Sequence, residues 1–156
     1  MRSTSHGVAV RRVVTADPDE PVVCAAQRMR DEHVGDLIVV ERGRPVGIVT
    51  DRDLVVRVLA AERAPDSLAV REVMTRALAT VPEDCDVFDV LARMHRTGAR
   101  RMPVVDEVGA LVGILALDDI VAWLARQMSV VSGLFGQQVR AERERLGLER
   151  AGPSAG

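Results

Sequence analysis

The residues with the most chemistry fall in one short run, Gly47-Ile48-Val49-Thr50-Asp51-Arg52-Asp53. An apolar, strand-like stretch here runs into a helix start. Thr50, with Asp53 three residues on, has the spacing of a capping box, in which each side chain satisfies the other residue's backbone N–H. The same atoms suit a nucleotide. A helix N-terminus offers free N–H groups to phosphate, and the Thr50 hydroxyl can add a hydrogen bond. A carboxylate at Asp53 can accept from both hydroxyls of a ribose. Gly47 allows close backbone approach. One threonine can cap and bind, so both readings stay open.

Little else in the chain suggests catalysis or a metal. Cys24 and Cys85 lack the spacing of a zinc site or a disulfide framework. No P-loop, no Gly-x-Ser-x-Gly and no nucleophile-base pair is present. His33 and His95 fall late in expected helices and read as exposed, and His6 falls in a polar N-terminal arm. Met29 and Met94 read as core. The 21 basic and 23 acidic side chains give a formal charge of −2, which argues against a protein that coats nucleic acid. Every basic residue is Arg apart from the histidines, and Phe88, Trp123 and Phe135 are the only aromatics, too few for a base-stacking platform. No apolar run reaches the roughly 18 residues of a membrane span. The polar first residues lack a secretory core, so a soluble, cytoplasmic protein is expected.

The elements that must position Thr50 and Asp53 occur twice. An offset of 65 maps Val22, Ala25, Ala26 and Met29 onto Val87, Val90, Leu91 and Met94. Both sets follow the i, i+3, i+4, i+7 spacing of one helix face. The same offset maps Thr15 onto Thr80 and Leu37 onto Met102; after one inserted residue the offset becomes 66 and maps Gly47 onto Gly113 and Asp53 onto Asp119. The insertion falls in a turn. Each copy reads as an extended piece (13–15; 78–80), a helix (21–33; 86–98), a hairpin (37–40 with 46–49; 103–105 with 111–115) and a second helix from Asp51 or Asp118. Units of about 60 residues are marginal alone. The pattern therefore predicts an α+β fold, two β-α-β-β-α repeats packed with pseudo-two-fold symmetry. The expected boundaries are 8–63, 68–124 and a helical tail at 125–150, with a linker at Ala64-Pro65-Asp66-Ser67 and a frayed end at 151–156. Gly133 and Gly136 weaken the tail helix.

These residues resemble the CBS-domain family, whose domains occur in tandem. The resemblance is carried by GIVTDRD (47–53), MPVVDEVGALVGIL (102–115) and VREVMT (70–75), and it covers about residues 8–124. It implies a regulatory module that binds an adenosine-containing ligand (AMP, ADP, ATP or related) in a cleft between repeats, with no obligatory cofactor. It transfers phosphate and ribose contacts to Thr50 and Asp53, with Arg52 between them able to reach phosphate. It places Thr15, Thr80, Asp36 and the Arg100-Arg101-Met102-Pro103 stretch at the adenine pockets. Arg100 and Arg101 are the best phosphate candidates, because guanidinium forks match phosphate oxygens.

The second copy keeps Gly113 and Asp119 but has Ala116 where a threonine is expected. A hydrogen bond to a charged group is worth about 1.5–3 kcal/mol, so the two sites should be unequal. The resemblance also implies a homodimer and an effector protein not named by the sequence. No membrane partner is expected, and the charged end of the tail alternates in sign, unlike a DNA-reading helix. The alternative reading is a dimerisation and interaction protein that binds no ligand and grips a partner through its C-terminal helix.

Overall fold

Two helices with the same buried spacing anchor the fold. In the computed structural model, which describes residue 8, residues 12–76 and residues 78–146, helix α1 spans Val22–Asp31 and buries Val22, Ala25 and Met29. Helix α4 spans Val87–Thr97 and buries the counterparts Val87, Val90 and Met94. This is the apolar stripe by which a helix covers a sheet. Asp86 starts α4 by accepting from the Phe88 N–H at 2.7 Å, and Gly98 ends it at φ 68°. The counterpart of Gly98 is His33, which adopts φ 54° after α1. Histidine is among the few side chains that enter this region with some frequency.

Each repeat forms a three-stranded mixed sheet. In the first, β1 (Thr15–Ala16) lies parallel to β2 (Asp36–Glu41), which pairs antiparallel with β3 (Arg44–Thr50). In the second, β4 (Val81–Pro82), β5 (Arg101–Val105) and β6 (Leu111–Ala116) repeat the order. Both hairpins shift register at the same point, between Val39 and Val40 and between Val104 and Val105. The first turns on Arg42 and Gly43, both at positive φ, as a two-residue hairpin loop requires. The second turn holds the inserted residue. There the Asp106 carboxylate accepts from the N–H groups of Val108 and Ala110.

An arginine ties helix to strand in each repeat. Arg28 donates to the Thr15 carbonyl at 2.7 Å, and its counterpart Arg93 donates to the Thr80 carbonyl at 2.7 Å. Arg28 also pairs with Glu20, whose hydrogen bond holds the guanidinium pKa above its ordinary value.

The strands lie slightly off the sequence expectation. β1 and β4 begin two and three residues after the expected starts at 13 and 78, because their extent is set by pairing with β2 and β5. After β3 the chain enters α2 (Asp51–Leu54) and continues as a π-helical turn, Val55–Leu59. A short helix α3, Val70–Val73, was not expected. Helix α5 runs without interruption over Leu117–Arg145, so no break occurs at residue 125, and Gly133 and Gly136 lie inside it. Residues up to Asp119 form one compact unit and the chain from Ile120 onward a second. In that second unit Met128, Val131, Leu134 and Phe135 are exposed. The N-terminal arm with His6, residues 147–150 of the expected tail helix and the end at 151–156 lie outside the described residues.

Residues 68–74 open the second repeat in sequence but pack in space against the first. Leu68, Val70, Val73 and Met74 are buried in one cluster with Val22, Met29, Leu37, Val49 and other residues of the first repeat. Thr75 and Ile48 exchange two backbone hydrogen bonds, at 2.8 and 3.0 Å. Gly47 makes this approach possible: a Cβ there would sit 2.7 Å from Met74 Sδ and 2.9 Å from the Thr75 carbonyl oxygen. Close approach at Gly47 is therefore made by the chain itself. Gly47→Ala is expected to lower stability by about 1–3 kcal/mol, the usual cost of overpacking. Urea denaturation would measure it, and an unchanged midpoint would mean that the Met74-Thr75 segment yields freely.

Candidate functional site

At the β3–α2 junction Thr50 ends the strand and caps the helix. Its Oγ1 accepts from the Asp53 N–H at 3.1 Å, and Asp53 Oδ2 accepts from the Thr50 N–H at 2.9 Å and from the Thr50 hydroxyl at 2.7 Å. The capping box is complete. Arg57, one turn on, lies 3.4 Å from Asp53 Oδ1 and donates to the Val73 carbonyl and to Thr75 Oγ1. Thr50 and Asp53 thus secure the helix start and, through Arg57, the crossing segment.

A cleft of about 1010 Å³ lies between the two repeats. The first repeat contributes Asp36, Thr50 and Arg52 to its wall, and the second contributes Arg100, Arg101 and Asp118. Ile48, Leu78, Ala79 and Ala116 supply apolar surface. Mixed walls of this kind, with a few polar groups to orient a ligand, are usual for small-molecule sites of this size. A second cleft of about 340 Å³ holds the counterparts: Val13 and Val14 stand for Leu78 and Ala79, and Ile114 and Ala116 for Ile48 and Thr50. Asp118 lies there at the position equivalent to Arg52.

The charges in the first cleft are arranged unequally. Arg101 is ion-paired with Asp36, which is 11% exposed. Arg100 lies 3.4 Å from Asp118, with both side chains in solvent. Asp51 accepts from the Arg52 N–H. Among the described residues, no hydrogen bond or ion pair engages the Arg52 guanidinium, and Arg52 is exposed. An entering anion therefore meets Arg52 directly and must draw Arg100 and Arg101 from their carboxylates.

Asp36 and Arg101 are the same position of the two repeats. Asp36 opposes Thr50 across the first hairpin, and Arg101 opposes Ala116 across the second. Their ion pair therefore sits on the pseudo-two-fold axis, and both residues line both clefts.

The structure brings together Asp36, Thr50, Arg52, Arg100 and Arg101 from the set read from sequence. It does not bring the rest into that cleft. Thr15 lines a separate recess of about 630 Å³ with Glu20 and Arg28. The carbonyl of Thr80 is held by Arg93. Met102 and Pro103 are buried in β5. Asp53 is turned to Thr50 and Arg57, and Asp119 is half-buried at the start of α5. Asp51 and Asp118 line the cleft although neither was singled out. Sequence offered one signal for them: both are polar residues at the strand-to-helix junction.

Among the described residues no group of three or more His, Cys, Asp or Glu is placed to hold a metal ion. No described helix is long and apolar enough to cross a membrane.

Replacing Asp36 by Arg puts two guanidinium groups on the axis and is expected to lower stability by about 1–2 kcal/mol. Adding Arg101→Asp should recover most of the loss, since the swapped pair restores opposite charges. Thermal denaturation of the single and double variants would show it. A double variant no more stable than the single would remove the pair from the account of stability.

Two stretches of the chain, residues 6–60 and 70–126, match the model of the CBS domain. The protein MK0525 of Methanopyrus kandleri is 40% identical over 122 residues, which cover 77% of this chain and 62% of that protein. The inosine-5'-monophosphate dehydrogenase of Thermoplasma acidophilum is 32% identical over 114 residues, covering 73% of this chain but only 22% of the enzyme. The chain thus spans less than two thirds of the length of both proteins. Among solved structures, the CBS domain pair of protein MJ0100, in complex with 5'-methylthioadenosine and S-adenosyl-L-methionine, superposes with a TM-score of 0.66 at 26% identity, covering 81% of this chain and 99% of that one.

Proposed function

The chain belongs to the CBS-domain family, and on that footing we propose that it is a regulatory sensor that binds an adenosine-containing nucleotide in the 1010 Å³ cleft. The observation that carries the reading is the meeting of Thr50 and Arg52 from one repeat with Arg100 and Arg101 from the other in that cleft. Phosphate recognition follows from the chemistry. Guanidinium groups match phosphate oxygens in charge and fork geometry, and Arg52 has no partner to give up among the described residues. The apolar wall formed by Ile48, Leu78 and Ala79 suits the face of an adenine base. The adenosyl ligands named for the MJ0100 pair support the same ligand class.

The reading is of binding and not of catalysis. Of the cleft carboxylates, Asp36 and Asp118 are turned to Arg101 and Arg100 and Asp51 accepts from the Arg52 N–H, so the reading assigns none of them a general-base role. Nucleotide binding would instead rearrange these ion pairs and be passed to an effector protein. The protein acts in this reading as a homodimer in the cytoplasm. Val55, Val56 and Leu59 are exposed on the first repeat, and Val121, the counterpart of Val55, is exposed after the second. The apolar side chains left open on the first repeat suit a face shared by two copies.

Calorimetric titration of the full chain with AMP, ADP and ATP tests the binding. Saturable binding of at least one is expected, with Arg52→Ala weakening it about tenfold, the worth of a lost charged hydrogen bond. Asp53→Ala is expected to weaken binding as well, but it also opens the capping box, at about 1 kcal/mol of stability. Its melting temperature must therefore be measured alongside. No binding of any of the three would favour the interaction-protein reading. For the dimer, sedimentation of Leu59→Glu should show a shift toward monomer relative to the wild type, and an unchanged profile would place the interface elsewhere.

A further inference from the structure

The two clefts share a wall, and the only residues on it with opposite charges in contact are Asp36 and Arg101 among those described. Resting on the nucleotide-binding reading above, we propose that Arg101 is a single anion-binding group shared by both clefts, so that a phosphorylated ligand in one opposes a phosphorylated ligand in the other.

Arg101 is 54% exposed and can swing, whereas Asp36 is 11% exposed at the start of β2 and stays. A phosphate in the larger cleft draws the guanidinium of Arg101 toward itself. The Asp36 carboxylate then faces the smaller cleft without its counter-charge. Asp118 and Ala116 line both clefts, but the smaller one has neither Arg52 and Arg100 nor the Thr50 hydroxyl to set against the carboxylates. Its other ionisable wall groups are Arg12, which is exposed, and His33. With Arg101 withdrawn, two carboxylates confront one arginine and a second anion is repelled. The reverse holds when the smaller cleft takes the anion first. Such a coupling is reciprocal, since each ligand must change the other's affinity by the same factor. A nucleoside without phosphate has no claim on Arg101 and should fill both clefts independently.

The test is calorimetric titration of the full chain with AMP and, separately, with adenosine. The wild type is compared with Thr50→Val/Arg52→Glu, which closes the larger cleft to phosphate. The AMP affinity of the smaller cleft in that variant should be about tenfold tighter than the second AMP step of the wild type, within the usual range of coupling between sites. Asp36→Asn/Arg101→Gln, with its fold checked by circular dichroism, should bring the two AMP affinities within about threefold of those expected for independent clefts. Adenosine should show no coupling in any variant. An AMP affinity of the smaller cleft that is the same whether the larger one is filled or closed would overturn the shared arginine and leave the nucleotide reading standing. Absence of any AMP or adenosine binding by the wild type would overturn both.

Discussion

A residue close to a two-fold axis meets its own counterpart. In a chain built from two copies of one motif, that counterpart began as the same amino acid. Position 36 and its equivalent 101 are in this situation, and they form an ion pair because one is Asp and the other Arg. Two aspartates or two arginines would repel at this distance. The opposite charges hold the first residue of β2 against the first residue of β5. The two clefts open on either side of that contact. The hairpin registers then fix their remaining walls, with Thr50 beside Asp36 and Ala116 beside Arg101.

Much of the fold is legible because it rests on local periodicity. The buried triads Val22-Ala25-Met29 and Val87-Val90-Met94 repeat at helical spacing, and the hairpins that follow are apolar runs divided by turn residues. The features that local periodicity does not convey depend on contacts far along the chain. β1 and β4 are strands only where β2 and β5 offer hydrogen bonds. Residues 68–74 read as the opening of the second repeat because their motif belongs there, yet their burial is with the first. Gly133 and Gly136 lower the helix propensity of the tail locally without ending α5, as a long helix tolerates scattered unfavourable residues.

The site was legible to the depth that its chemistry is local. Thr50 and Asp53 form the reciprocal cap that their spacing implies, and that spacing lies within a single helical turn. The approach of Arg52 to Arg100 and Arg101 across the cleft is a property of the packed pair of repeats. The offset of 65 residues made Asp36 and Arg101 equivalent but carried no information that equivalent residues touch. The arginines Arg28 and Arg93 are also equivalent in sequence, and only the structure shows each holding the carbonyl of the threonine assigned to an adenine wall.

The segment 68–74 has a consequence for how such a chain can be divided. Val73 is buried with the first repeat, and Val8, its counterpart at an offset of 65, is fully buried near the start of the chain. The motif that was duplicated and the body that folds are thus out of phase. A gene cut at the linker, between residues 64 and 67, would respect the heredity of the two copies and still strip the first of Leu68, Val70, Val73 and Met74. A cut after Arg76 would leave that core whole. Exchange of one copy for a homologous copy, by recombination at the ancestral joint, would carry away part of the neighbour's interior. Descent and folding draw the boundary in different places, and up to Asp119 the chain folds as one compact unit.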